Sequence, residues 1–165
     1  VKVIELSHKI LTDLESIDIV KFLELCGRTA YKSEDKITEI SSTKFIESIL
    51  KRGHESVIEH FNISVRFITD RGVTHELVRH RLCAYTQEST RYCNYSGKDI
   101  IFIKPVFWTK DNGSYILWKE AMEHAEAYYN IFMNISYNAT PQEARSVLPN
   151  SLKTEIVCTA NIREW

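Results

Sequence analysis

Residues 79–92 crowd Arg79, His80, Arg81, Tyr85, Gln87, Ser89, Thr90, Arg91 and Tyr92 into fourteen positions. Guanidinium forks pair with the oxygens of phosphates and carboxylates, and hydroxyls and amides add directional hydrogen bonds. Such a stretch suits a site that grips phosphates and a flat heterocycle. Arg145 and Arg163 offer two further guanidiniums. Tyr85, Tyr92 and Tyr95 offer aromatic faces, though a single tyrosine is equally at home in ordinary packing. Ser89 sits in no GxSxG elbow and no partner base is visible beside it, so it is expected to bind rather than attack.

Other chemistries find less support. Cys26, Cys83, Cys93 and Cys158 are irregularly spaced without a CxxC pair, which reads as reduced structural thiols. His54-Glu55 and His75-Glu76 open like a zinc-protease helix. That motif needs a second histidine four residues on, and Ile58 and Arg79 stand there instead. No metal is expected. A net charge of −1 argues against a general nucleic-acid binder, so local basic clusters read as specific anion sites. No apolar run nears the roughly 20 residues of a membrane span. The polar start Val1-Lys2-Val3-Ile4-Glu5 does not suit a signal peptide, and a cytoplasmic protein is expected.

The elements that must position these residues read as α/β (α+β): a single mixed domain over 1–165 with a central sheet and packed helices. Val1–Leu6 reads as a strand. Residues 16–31 form a helical face of Ile17, Val20, Leu23, Leu25 and Ala30 after Ser16 or Asp18 as N-cap. Residues 42–52 repeat the pattern, with Gly53 as the stop. Phe61, Ile63, Val65 and Phe67 alternate with polar neighbours, as a half-buried strand does. Val73, Leu77, Val78 and Leu82 suit a helix over 71–83, and 84–99 read as a long functional loop. On a regular helix Arg79 and Arg81 would point roughly 200° apart, so they could not easily clamp one phosphate together; they would serve two ligands, or a ligand and a neighbouring subunit, or one would be a solvated surface residue. Residues 100–103 form a strand. A long helix over 114–137 carries Ile116, Leu117, Ala121, Ala125, Tyr128, Ile131, Phe132 and Ile135. Pro141 opens a further helix behind Thr140 as cap, ending near Pro149. The last strand, 154–162, places Ile156, Cys158 and Ala160 on one face.

Four blocks in order resemble the flavin-dependent thymidylate synthases. They are Gly53-His54-Glu55-Ser56 with Glu59-His60, Arg79-His80-Arg81 through Tyr92, Ala144-Arg145-Ser146-Val147-Leu148-Pro149, and Asn161-Ile162-Arg163. Arg-His-Arg, seven residues, then Ser is that family's hallmark.

The resemblance implies a thymidylate-synthase-complementing-protein-like fold and a reaction. That reaction makes dTMP from dUMP with 5,10-methylenetetrahydrofolate and NADPH through bound FAD, in a homotetramer with shared active sites. It implies flavin contacts from Ser56, Arg79, His80, Arg81, Gln87, Asn161 and Arg163. It implies nucleotide contacts from Glu76, Arg79, Gln87, Ser89, Thr90, Arg91 and Arg145. His54 and His60 could assist folate or flavin binding. The family's catalytic arginine would lie beyond Trp165, so the chain is expected to lack the C-terminal segment that carries it. Two other readings remain: a flavin- or nucleotide-binding fragment without turnover, and a nucleic-acid-binding domain using Arg79–Arg91. Arg28 lies outside every block and is expected to matter less than Arg81 for flavin retention.

Overall fold

The computed structural model describes residues 1–134 and 136–165. Ile135, expected on the long helix, lies outside the described residues. The fold is mixed α/β, as the sequence predicts. Strands β1 (Lys2–Ile4) and β5 (Ile101–Ile103) pair in parallel, Lys2 opposite Ile101 and Ile4 opposite Ile103. A four-stranded sheet runs in the order β2 (Ser7–Ile10), β3 (Asn62–Asp70), β6 (Lys153–Asn161), β4 (Ala84–Gln87). The helices are α1 (Ile19–Thr29), α2 (Ser41–Lys51), α3 (Arg71–Leu77), α4 (Gly113–Phe132) and α5 (Pro141–Ala144). The chain divides into two compact units, and each of the four sheet strands has residues in both.

The first unit comprises 1–8, 67–80 and 86–156. Its core gathers Ile100, Phe102, Met122, Tyr129, Ala144 and Leu152. Helix α4 supplies Tyr115, Met122 and Tyr129 to the interior. Ile116, Leu117, Tyr128 and Ile131, among the apolar residues the sequence analysis gave to this helix, are exposed. At about 100° per residue these four share a second face about 120° wide, away from the buried one. The helix is apolar on two sides, and a single-face reading chose the outer one.

The second unit comprises 9–66, 81–85 and 157–165. Asp18 caps α1 by accepting from the Lys21 backbone N–H at 3.1 Å. Helix α1 packs on α2 and on the 3₁₀ turn Glu55–His60. Gly27 permits this approach, because a Cβ there would stand 2.7 Å from the Phe45 ring. Gly53 ends the α2 region with φ of +75°, a conformation that favours glycine.

Two stretches depart from the sequence reading. Helix α3 stops at Leu77 rather than near 83. Its end tightens into turns, Arg79 N–H to Glu76 O at 2.9 Å and His80 N–H to Leu77 O at 3.1 Å. The expected loop over 84–99 begins as β4, because Ala84–Gln87 pair beside β6. The 200° divergence of Arg79 and Arg81 on one helix therefore has no helix to rest on.

Arg28, outside every family block, has a structural role. Its Nε and Nη2 donate to Glu24 Oε1 at 3.0 and 2.7 Å, and Ser41 Oγ donates to Glu24 Oε2 at 2.8 Å. Glu24 is fully buried. Removing the guanidinium leaves that carboxylate uncompensated. Arg28→Ala should cost roughly 3–5 kcal/mol in urea unfolding, whereas exposed Arg52→Ala should stay within about 0.5 kcal/mol. Equal midpoints for the two variants would refute this account of the pair.

Candidate functional site

In the first unit, α3 and the segment after β4 meet through one buried joint. Gln87 Nε2 donates to Thr74 Oγ1 at 2.9 Å and to Thr154 Oγ1 at 3.2 Å. Both threonines are buried. Gln87, expected as a ligand contact, thus has its amide nitrogen committed to holding α3, β4 and β6 in register. The capping box of Thr140 and Glu143, with Pro141 in the first turn, starts α5. Buried Ala144 then anchors the turn that carries Arg145.

These elements enclose a cavity of about 440 Å³ lined by Arg71, His75, Thr90, Gln142, Arg145 and Asn150, among others. No aspartate or glutamate lines it. Arg145 Nη1 donates to the Thr90 hydroxyl at 3.1 Å, and Thr90 is buried. Arg71 Nη1 reaches the Glu88 carbonyl at 3.4 Å. Arg91 Nε donates to Gln142 Oε1 at 3.2 Å, and its guanidinium lies 5.5 Å from the Tyr92 ring centre. All three arginines rest on neutral oxygens and keep their full positive charge for an anion. Ser89 turns the backbone beside them: its carbonyl accepts from Cys93 N–H at 2.9 Å and its hydroxyl from Arg91 N–H at 3.3 Å.

The sequence reading named Thr90, Arg91 and Arg145 but missed Arg71, His75, Gln142 and Asn150. Arg71 and His75 carried a usable signal, since a spacing of four sets them on one helical face. Glu76, Arg79 and His80 are exposed and do not line the cavity.

The remaining flavin candidates belong to the second unit. Ser56 is exposed on the 3₁₀ turn Glu55–His60. Arg163 Nε lies 3.3 Å from Glu55 Oε2, and its Nη1 pairs with Glu59 Oε1, which raises its pKa. Arg163 thus sits against the turn that carries Ser56. Asn161 Oδ1 accepts from Glu164 N–H at 3.0 Å and closes the turn after β6. Arg81 is exposed just before β4. His54 and His60 are exposed. Burial, with Cys83 beside it, pushes the Cys158 thiol up to about 11, so it is no thiolate near neutral pH. Of the three aromatic candidates only Tyr92 is exposed, while Tyr85 and Tyr95 are half-buried. Among the described residues no cluster of three or more metal-ligating side chains gathers, and no helix is long and apolar enough to cross a membrane.

The profile of the thymidylate synthase complementing protein family matches residues 15–165. The flavin-dependent thymidylate synthase of Pyrococcus furiosus is 34% identical over 155 residues, covering 92% of this chain and 62% of that protein. Its namesake from Geobacter sulfurreducens is 31% identical over 148 residues, covering 85% and 62%. The chain thus spans about 62% of the length of these curated relatives. A crystal structure of the UMP/dUMP methylase PolB from Streptomyces cacaoi bound with 5-Br dUMP shares the fold. Its TM-score is 0.77 at 20% identity, over 99% of this chain and 76% of that one.

An anion site of this kind should register in stability. Inorganic phosphate at a hundred times its dissociation constant should add roughly 2.7 kcal/mol to the unfolding free energy. Arg71→Met with Arg145→Met should abolish that gain while keeping the apolar stems. Undiminished protection in the double variant would place the phosphate elsewhere.

Proposed function

Because the chain belongs to the thymidylate synthase complementing protein family, we propose that it takes part in the FAD-dependent methylation of dUMP to dTMP. The carbon donor is 5,10-methylenetetrahydrofolate and the reductant is NADPH. The observation that carries this reading is the cavity lined by Arg71, His75, Thr90 and Arg145 without a carboxylate. A nucleoside monophosphate brings a charge of about −1.5 to −2. Arg71 and Arg145 line the cavity and Arg91 joins it through Gln142, so this charge has partners from three elements. The 5-Br dUMP bound to the Streptomyces methylase supports the same class of ligand.

In this reading Thr90 and Arg145 hold the phosphate, and the Ser89 turn sets the angle at which Arg91 approaches. Arg79 and Glu76, exposed on and just after α3, are left for the nucleoside end. In the second unit Ser56, Arg81, Asn161 and Arg163 are hydroxyl, amide and guanidinium donors of the kinds that suit a dinucleotide flavin, and the resemblance adds Arg79, His80 and Gln87 as proposed contacts. Bound FAD would supply hydride chemistry, which asks for no enzyme nucleophile. That fits Ser89, whose hydroxyl is engaged with the Arg91 backbone, and Cys158, whose thiol is held protonated.

A homotetramer with shared sites belongs to the same proposal. The exposed face of Ile116, Leu117, Tyr128 and Ile131 on α4 supports association through an apolar surface. The protein is proposed to act in the cytoplasm.

Purified protein should carry a yellow flavin spectrum at tetrameric mass and bind dUMP in calorimetry. Arg81→Ala should retain less flavin than Arg52→Ala, the control that replaces Arg28. A colourless monomer that takes up neither FAD nor dUMP would end this reading.

A further inference from the structure

Glu88 lies between two residues assigned to ligand contacts, yet its side chain faces protein. Glu88 Oε1 accepts from the Tyr95 hydroxyl at 2.9 Å, and Glu88 Oε2 accepts from Lys153 Nζ at 3.0 Å. Lys153 Nζ also reaches Glu155 Oε1 at 2.7 Å. The Glu88 and Lys153 side chains are only 19% and 16% exposed. Glu88 N–H donates to Glu155 O at 2.8 Å, which extends the β4–β6 pairing by one residue. Its carbonyl accepts from Arg71.

The other end of the loop is tied as firmly. Tyr95 N–H donates to the Tyr129 hydroxyl at 3.2 Å, and the two rings stand 5.9 Å apart. Tyr129 is fully buried in the core. Burial and the Glu88 carboxylate both push the Tyr95 hydroxyl upward, so it remains a donor. Burial alone would lower Lys153, but the two carboxylates outweigh it and keep the ammonium charged. The bond between Glu88 and Tyr95 thus closes residues 88–95 into a loop with both ends fixed. The Ser89 turn, Thr90 and Arg91 lie inside it.

We infer that Glu88 is a positioning residue which, through Lys153 and Tyr95, holds the Ser89–Arg91 loop in its anion-binding shape before the ligand arrives. The inference rests on reading the adjoining cavity as the monophosphate site. Its physical content is preorganisation: an ordered loop has less freedom to lose on binding. Glu88 touches no ligand in this scheme and acts only through the loop. None of the four family blocks includes Lys153 or Tyr95.

The test is calorimetric binding of dUMP to the whole chain, with amide hydrogen exchange on the same samples. Lys153→Met should weaken dUMP affinity about tenfold and speed exchange at residues 89–92, leaving β1 and β5 unchanged. Lys153→Arg should restore both. Tyr95→Phe, which deletes a single hydroxyl, should loosen the same loop from its other end and serves if Lys153→Met does not fold. Wild-type binding with unchanged affinity in both Lys153→Met and Tyr95→Phe would overturn this inference alone. Exchange that rises evenly over the first unit would reduce Glu88 to a general structural role and overturn it too. Wild-type protein that takes no dUMP would overturn the nucleotide reading, and this inference with it.

Discussion

The first unit depends on the amide of Gln87. Thr74 on α3 and Thr154 on β6 are buried, and each offers its hydroxyl to the same Nε2. Thr74 Oγ1 donates onward to the Arg71 carbonyl at 3.0 Å, so amide and hydroxyl form one chain from β4 into α3, and a buried polar group left without a partner costs roughly 1–3 kcal/mol. Everything around the cavity follows from it. Helix α3 presents Arg71 and His75 from one side, and the end of β4 delivers the Ser89 turn to the other. Apolar residues could have packed these elements equally well. They could not have set the register of a strand against a helix with the same selectivity.

The regular elements were legible because their pattern is local. Strand β6 buries Thr154, Ile156, Cys158 and Ala160 in strict alternation, as the sequence announces. Gly53 and Thr140 mark boundaries by their own conformation and side chain. Helix α3 shows where local pattern fails. Val78 and Leu82 continue its apolar period, yet both are exposed, Leu82 at 78%. The chain leaves the helix early because Ala84–Gln87 must reach extended pairing beside β6. That partner lies some seventy residues away and leaves no mark on residues 78–83. Strand β2 was missed for a similar reason, since Ser7–Ile10 is exposed throughout and carries no apolar alternation.

Site legibility splits along the same line. Thr90, Arg91 and Arg145 were named through residue type and resemblance, and the fold brings Thr90 and Arg145 to the cavity and Arg91 to its Gln142. Arg71 was missed because its spacing of four from His75 marks one helical face without saying what that face meets, and only the fold brings it to a cavity that Arg145 also lines. The structural part played by Arg28 was illegible for another reason. Its role is set by Glu24 one helical turn earlier, and only burial tells that pair from an ordinary surface pair.

The arginines of this chain argue for function through what they are paired with. Arg28 meets a buried carboxylate and is spent on structure. Arg163 meets Glu55 and Glu59 at the surface, where any anionic ligand must compete with two carboxylates. Arg71, Arg91 and Arg145 meet a backbone carbonyl, an amide oxygen and a hydroxyl. Neutral acceptors orient a guanidinium without discharging it. Three like charges converging on one region repel one another, and stability alone gives no reason to leave them uncompensated when glutamate is common in this chain. Glu88, three residues before Arg91, directs its carboxylate to Tyr95 and Lys153 instead. The loop thus ties its carboxylate into the protein and lets Arg91 reach Gln142 at the cavity wall, an arrangement that makes sense once an anion completes it.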